Sequence, residues 1–279
     1  MRTIIADSGA TKADWRVVHP DGTIQTVVTE GINPVLLSQE QICTILQILY
    51  DSIEGKVDEI HFYAAGVTGP QMENMMIECF AKSFPQANAF AYSDMVAASR
   101  SLCGNHSGIA CIMGTGSNSC FYDGTSMAPD KVPAGGFIIG DEGSGAVLGR
   151  KLLSDFIKRQ LPKEIEQSFK TLFPDVNVDF IIQKVYREPK PSRFLASFSP
   201  FLNDNRNHPH INNLLRTSFA EFFSRNISQY DFTRYPVNIV GSIAFFYSDL
   251  ITEEAQKQGM TIGTILQGPI EGLLKYHLK

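Results

Sequence analysis

The chain has 279 residues, 43% of them hydrophobic and 19% charged, a composition that supports a packed core, excludes a disordered or fibrous protein, and at this length favours two medium domains. The formal net charge of −5 supplies no basic field for phosphodiester backbones, so nucleic acid is not expected as a partner. Five scattered cysteines, with no C-x-x-C spacing, argue against a disulfide framework or a zinc cage. Neither a signal-peptide pattern nor a run of membrane-spanning length is present, so the expectation is a cytoplasmic protein with no membrane partner.

In chain order, "RTIIAD", "ADWRVVH" and "TIQTVVT" read as strands joined by "SGATK" and the turn "PDG", the hairpin-rich start of a sheet. "SQEQICTILQILYDSI" has helical periodicity, with Ser38 and Gln41 spaced as a capping box. The strand "EIHFYAAG", the helix "QMENMMIECFAKSF", the strand "NAFAYSD" and a helix from about Met95 follow; this alternation indicates crossover units and parallel strands.

At "GNHSG", residues 104–108, the pattern restarts. "GIACIMGTGSNSCFYDG" repeats the grammar of "TIIADSGATKADWRVVHPDG": buried strand, small-residue loop, return strand, hairpin tip. An internal duplication explains both. The chain then reads as mostly helical from Ser144 to Gln229, with a last strand "YPVNIVGS", one helix "AFFYSDLITEEAQKQG", and an amphipathic C-terminal helix "GPIEGLLKYHL" able to pack on either half. Residues 1–105 are expected to form the first domain, with 266–279 a candidate to complete it, and 106–265 the second, carrying a helical insertion.

Three loops suit phosphate oxygens, because small residues let several backbone N–H groups approach closely. They are "DSGATK" (Ser8, Gly9, Ala10, Thr11, Lys12), "GTGSN" (Gly114, Thr115, Gly116, Ser117) and "VGSIA" (Gly241, Ser242), the last opening a helix. No Walker P-loop or dinucleotide fingerprint occurs. Each loop alone reads equally as a turn; Asp7 reads as a turn acid or as a carboxylate near Mg2+, met through water. Asp94 follows Ser93 before an apolar run, where a helix N-cap is the bland reading and a catalytic carboxylate the functional one.

"ADSGATKADWRV", "YSDMVAA", "GTGSN", "GGFIIGDEGSG" and "IVGSIAFF", in this order and spacing, resemble the N-acetylglucosamine kinase and BadF/BadG-type ATPase family of the actin, hexokinase and Hsp70 superfamily. The resemblance spans nearly the whole chain. It implies an α/β fold of two ribonuclease H-like (actin-like ATPase) domains around a nucleotide and sugar cleft, with ATP and Mg2+ as cofactors and a small sugar as substrate. It further implies that Asp94 is the catalytic base, that Asp7 serves the metal, and that Asn33, Gly66, Asn118, Gly136 and Asp141 line the sugar site. Phosphorylation of N-acetylglucosamine at the 6-hydroxyl is the implied activity.

The chain departs from the family pattern in "GGFIIGDEGS", which lacks a Trp that relatives place in the sugar pocket; Trp15 stands elsewhere. The N-acetyl preference is the part of the reading this affects. An ATPase activator of the BadF/BadG type and a non-catalytic sugar or nucleotide sensor are the competing functions. "HPH" at His208–His210 reads as a solvated turn, "KYHLK" as an ordinary basic helix end, and "RFLASFSPFL" as core or as a homodimer face.

Overall fold

The computed structural model describes residues 1–9, 12–129 and 131–278, so Ala10 and Thr11 of the first loop lie outside the described residues. The chain divides into two compact units, one of residues 1–105 with 269–279 and one of residues 106–268.

The first unit opens with β1 (Thr3–Ser8), β2 (Lys12–Val18) and β3 (Ile24–Glu30), then α1 (Gln39–Asp51), β4 (Glu59–Ala64), α2 (Pro70–Ser83), β5 (Asn88–Ser93) and α3 (Asp94–Cys103). Its sheet has the order β3-β2-β1-β4-β5. The β1–β2–β3 hairpins are antiparallel, and β4 and β5 are parallel to β1. Because side chains alternate across a strand, the two faces sort cleanly. Ile4, Ala6, Trp15, Val17 and Phe62 join Ile42 and Leu46 of α1 and Met76 and Phe80 of α2 in one core. Ile5, Val18 and Tyr63 join Ala97 of α3 in another. Trp15 is fully buried, stacked on Phe62 at 5.7 Å, with its indole N–H donating to Thr29 Oγ1 at 2.8 Å. The capping box of α1 forms, with Ser38 Oγ accepting from Gln41 N and Gln41 Oε1 from Ser38 N.

The second unit runs β6 (Gly108–Met113), β7 (Ser117–Tyr122), α4 (Gly136–Ile139), α5 (Gly145–Ile157), α6 (Lys163–Leu172), α7 (Val178–Tyr186), α8 (Pro191–Ala196), α9 (Ser199–Asp204), α10 (Pro209–Arg225), β8 (Val237–Val240), α11 (Ser242–Phe246), α12 (Ser248–Lys257) and β9 (Ile262–Leu266). The chain then returns to the first unit as α13 (Ile270–His277). The second sheet, β7-β6-β8-β9, repeats the β2-β1-β4-β5 order of the first, one antiparallel hairpin followed by two parallel neighbours. The Phe-rich stretch is core: Leu195, Phe198, Phe201 and Leu202 are all buried with Phe169, Phe219 and Phe222.

Four local expectations are corrected. β9 was not anticipated, since "TIGTIL" has no alternation; it exists because β8 pairs with it and because Asn238 Oδ1 accepts from Thr264 N at 2.9 Å at an irregular register. The stretch expected as one helix after β8 is two, broken at Tyr247, whose ring is buried and whose hydroxyl donates to Ser199 O at 2.8 Å. "HPH" opens α10 rather than forming a solvated turn: His208 is the cap, Pro209 the first helical residue, and the imidazoles pair with Glu164 at 3.0 Å and Asp155 at 2.9 Å. Among the described residues no group of three or more His, Cys, Asp or Glu side chains is placed to hold a metal ion. "KYHLK" is no ordinary helix end either, because His277 is drawn into a stack with His61, centroids 3.9 Å apart.

Candidate functional site

In the first unit the expected residues gather where β1, β4 and β5 end. The β1–β2 register sets Asp7 opposite Asp14 and Ser8 opposite Ala13, and Gly9 N donates to Lys12 O at 3.0 Å to close the hairpin. Burial, followed by the negative charges of Asp14 and Asp94, pushes the Asp7 carboxyl up to about 7, against the pull of Lys12. Lys12 is mostly exposed and pairs with Asp14 at 2.9 Å, so its charge is partly spent within the hairpin. Asp14 is the acid that sequence reasoning left without a role; only the register places it beside Asp7.

Asp94 is the first residue of α3, and its half-buried carboxylate lies near enough to Asp7 to raise that group. The cap of α3 is Ser93, whose Oγ accepts from Val96 N at 3.3 Å. The bland reading of Asp94 as the cap is thereby taken by its neighbour.

Ser8 is buried, and its hydroxyl accepts from Ile32 N at 2.8 Å and donates to Ile32 O at 3.1 Å. Its side chain therefore fastens the loop before Asn33. Asn33 Oδ1 accepts from Val35 N at 3.0 Å, an Asx turn that orients the carboxamide. Gly66 has φ +95°, and a Cβ there would lie 2.2 Å from Asn33 Oδ1. Two residues more than thirty positions apart in sequence thus meet, and only glycine permits the approach.

In the second unit Gly114 N donates to Gly116 O at 2.9 Å, closing the loop between β6 and β7. The first helical N–H groups of α5, at Gly145 and Ala146, donate to Gly114 O at 2.8 Å and Thr115 O at 3.0 Å, so this helix start is consumed in shaping the loop. Ser144 caps α5 through Val147 N. Ser117 Oγ donates to Glu142 O at 2.8 Å, and Ser117 N donates to the Asp141 side chain. Asp141 has φ 54°, and its Oδ2 lies 2.9 Å from where a Cβ on Gly116 would stand. Burial raises its carboxyl above the usual range. "GTGS" and "GDEGSG" are therefore one structure, pinned further by Glu142, which pairs with Arg225 at 2.9 Å and accepts from Asn226 Nδ2 at 3.2 Å.

Gly241, at φ +135°, packs on the same place: a Cβ there would lie 2.3 Å from Met113 O and 3.1 Å from Gly114 N. Ser242, exposed, begins α11 directly after it. Asn118 is half-buried on β7, its Oδ1 accepting from Ser119 N at 2.9 Å. Gly136 is exposed at the start of α4. Among the described residues neither shares a hydrogen bond with Asp141.

Comparison with known proteins finds similar structures over nearly the whole chain. A protein from Porphyromonas gingivalis, provisionally named an N-acetylglucosamine kinase, is 38% identical over 99% of this chain and 98% of its own, with a TM-score of 0.91. The chain belongs to the N-acetylglucosamine kinase-type ATPase family. A provisionally named N-acetylglucosamine kinase from Chromobacterium violaceum, 17% identical over 99% of this chain and 98% of that one, superposes with a TM-score of 0.70. A ROK family glucokinase from Streptomyces griseus, in complex with glucose and AMPPNP, is 14% identical over 99% and 98% of the two chains at a TM-score of 0.56. At such identities the last two speak for the fold alone, two ribonuclease H-like units. No protein-family model and no curated protein sequence matches the chain.

Proposed function

We propose that this member of the family is an ATP-dependent sugar kinase, transferring the γ-phosphoryl group to a hexosamine, with N-acetylglucosamine at the 6-hydroxyl as the first candidate acceptor. The observation that carries the reading is the pairing of Asp94 with Asp7. Asp94 stands at the junction of β5 and α3 with Ser93 already serving as the cap, and Asp7 beside it is pushed up by burial and by like charge. Packing that raises a carboxyl in this way is costly unless a cation or a reacting proton relieves it.

Phosphoryl transfer needs little covalent chemistry from the protein; it needs positioning, charge neutralisation and a group to take the acceptor's proton. Asp94 takes the proton of the attacking sugar hydroxyl. The described part of the first loop, Ser8, Gly9 and Lys12, together with Gly114, Thr115, Gly116 and Ser117 and with Gly241 and Ser242, supplies donors to ATP; Ala10 and Thr11 complete the first loop in sequence. Ser8 contributes through its backbone, because its hydroxyl is engaged with Ile32. Asn33, held over Gly66, and Asp141, held over Gly116, offer a carboxamide and a carboxyl to sugar hydroxyls, with Asn118 and Gly136 further along the same segments.

Asp7 would hold Mg2+: its carboxylate is a hard oxygen donor with the negative charges of Asp14 and Asp94 close enough to raise it, and one or two carboxylates suit an ion that keeps several of its waters. Bound there with ATP, the ion would neutralise phosphate charge. The test is ADP release by purified protein with ATP and Mg2+ against N-acetylglucosamine, N-acetylmannosamine, glucosamine and glucose. Release with one or more of these sugars, lost by at least a thousandfold in Asp94→Asn with ATP binding retained, is the expected result. Full activity in that variant would refute the base assignment, and activity with no sugar present would refute the kinase reading.

A further inference from the structure

The last helix does more than cover the first sheet. His277 on α13 has its Nε2 2.8 Å from the Tyr63 hydroxyl, and Arg100 Nη1 donates to that hydroxyl at 2.7 Å. A guanidinium can only donate. The Tyr63 oxygen is therefore the acceptor from Arg100, and the same hydroxyl shares a second hydrogen bond with His277 Nε2. Arg100, Tyr63 and His277 thus form one continuous chain of hydrogen bonds joining α3, β4 and α13. Burial and the neighbouring charges of His61 and Arg100 push His277 down to about 3, so a neutral imidazole meets the Tyr63 hydroxyl.

The guanidinium is also held by rings. It lies 4.2 Å from the Tyr92 centroid, 5.1 Å from Tyr276 and 5.7 Å from Tyr63, distances at which a cation gains from an aromatic face. Arg100 belongs to α3, the helix that begins with Asp94. α13 touches α3 backbone to backbone: a Cβ on Gly272 would stand 2.5 Å from Ser101 O. Asp7, Tyr63 and Tyr92 are register partners across β1, β4 and β5, so they share one face of the sheet, and Tyr92 is two residues before Asp94. Among the described residues Arg100 Nε and His61 Nδ1 are both buried without a hydrogen-bond partner, a cost that an apolar side chain in the same space would avoid. What the guanidinium adds over such a side chain is a fixed direction and distance.

We propose that Arg100, Tyr63 and His277 form a positioning clamp, by which the C-terminal helix sets the axis of α3 and with it the place of Asp94 beside Asp7. These are positioning residues, acting on the acids through α3 and the sheet. The inference rests on the reading of Asp94 as the base of a sugar kinase. Breaking the clamp leaves the phosphate and sugar loops intact, so it should act on kcat and not on KM.

The experiment compares Arg100→Leu, His277→Ala, Tyr63→Phe and His277→Gln in the full chain, at a temperature where each is folded by circular dichroism. The first three are expected to lose at least tenfold in kcat with KM for ATP and sugar within about twofold. His277→Gln, whose carboxamide can hydrogen-bond the Tyr63 hydroxyl, should keep kcat within about threefold. Variants that melt earlier yet keep wild-type kcat, or that change KM in place of kcat, would overturn the clamp. If the wild-type protein releases no ADP with any sugar, the kinase reading falls by itself, and hydrogen exchange then decides the clamp. Faster exchange of residues 95–99 in His277→Ala than in wild type supports it; identical exchange overturns it.

Discussion

Gly66→Ala tests whether two distant loops are one device. Gly66 sits at φ +95° with the Asn33 carboxamide where a Cβ would go, 2.2 Å from Oδ1. Holding a non-glycine residue at such a φ costs about 1–3 kcal/mol. The overlap also drives Asn33 out of its turn, giving up the bond from Val35 N, worth about 1 kcal/mol. The sum is about 2–4 kcal/mol. At roughly 4 °C for each kcal/mol in a domain of this size, the melting temperature of the unliganded protein should fall by about 8–16 °C. Gly22→Ala is the control, since Gly22 has φ +85° with no atom within 4 Å; it carries the backbone cost alone and should fall by less. Kinetically, Gly66→Ala should raise the sugar KM at least tenfold while the ATP KM stays within about twofold, because only the Asn33 carboxamide is displaced. A melting temperature indistinguishable from that of wild type, or a loss shared equally by ATP and sugar, would refute the coupling of Gly66 to Asn33.

Two further predictions concern the acids and the third loop. Burial and like charge push the Asp7 carboxyl up to about 7 from an ordinary value of 3.8, so the native state holds its proton over a range where the unfolded chain does not. That contribution to stability is complete below about 4 and is lost as pH rises through about 7, by at most ~1.4 kcal/mol per pH unit. In chelator, Asp7→Asn should therefore gain on wild type between pH 5 and pH 8 in denaturant titrations; an unchanged difference between the two would refute it. Gly241→Ala would put a Cβ 2.3 Å from Met113 O, a backbone atom with no side-chain freedom to yield. It should cost on the order of 3 kcal/mol and raise the ATP KM more than the sugar KM, and a variant with wild-type ATP affinity would separate this loop from the nucleotide.

What was legible in the sequence is what short-range physics writes there. Ser38 with Gln41, Ser93 and Ser144 mark helix starts because a hydroxyl at that spacing can accept an orphan N–H. The hairpins around Gly9 and Gly116 follow from apolar runs broken by small residues, and their recurrence shows the repeated sheet order. The tertiary structure alone decided the rest. β9 is a strand because β8 offers it an edge, and Tyr247 breaks a helix because a buried hydroxyl finds Ser199 O. Asp14 matters through a cross-strand register, Asn33 through Gly66, Asp141 through Gly116, and His277 through a tyrosine 214 positions away. A propensity or a cap is settled within a few residues of chain, whereas these contacts are settled by which strands pair and which helix closes over them, and no local pattern carries that information.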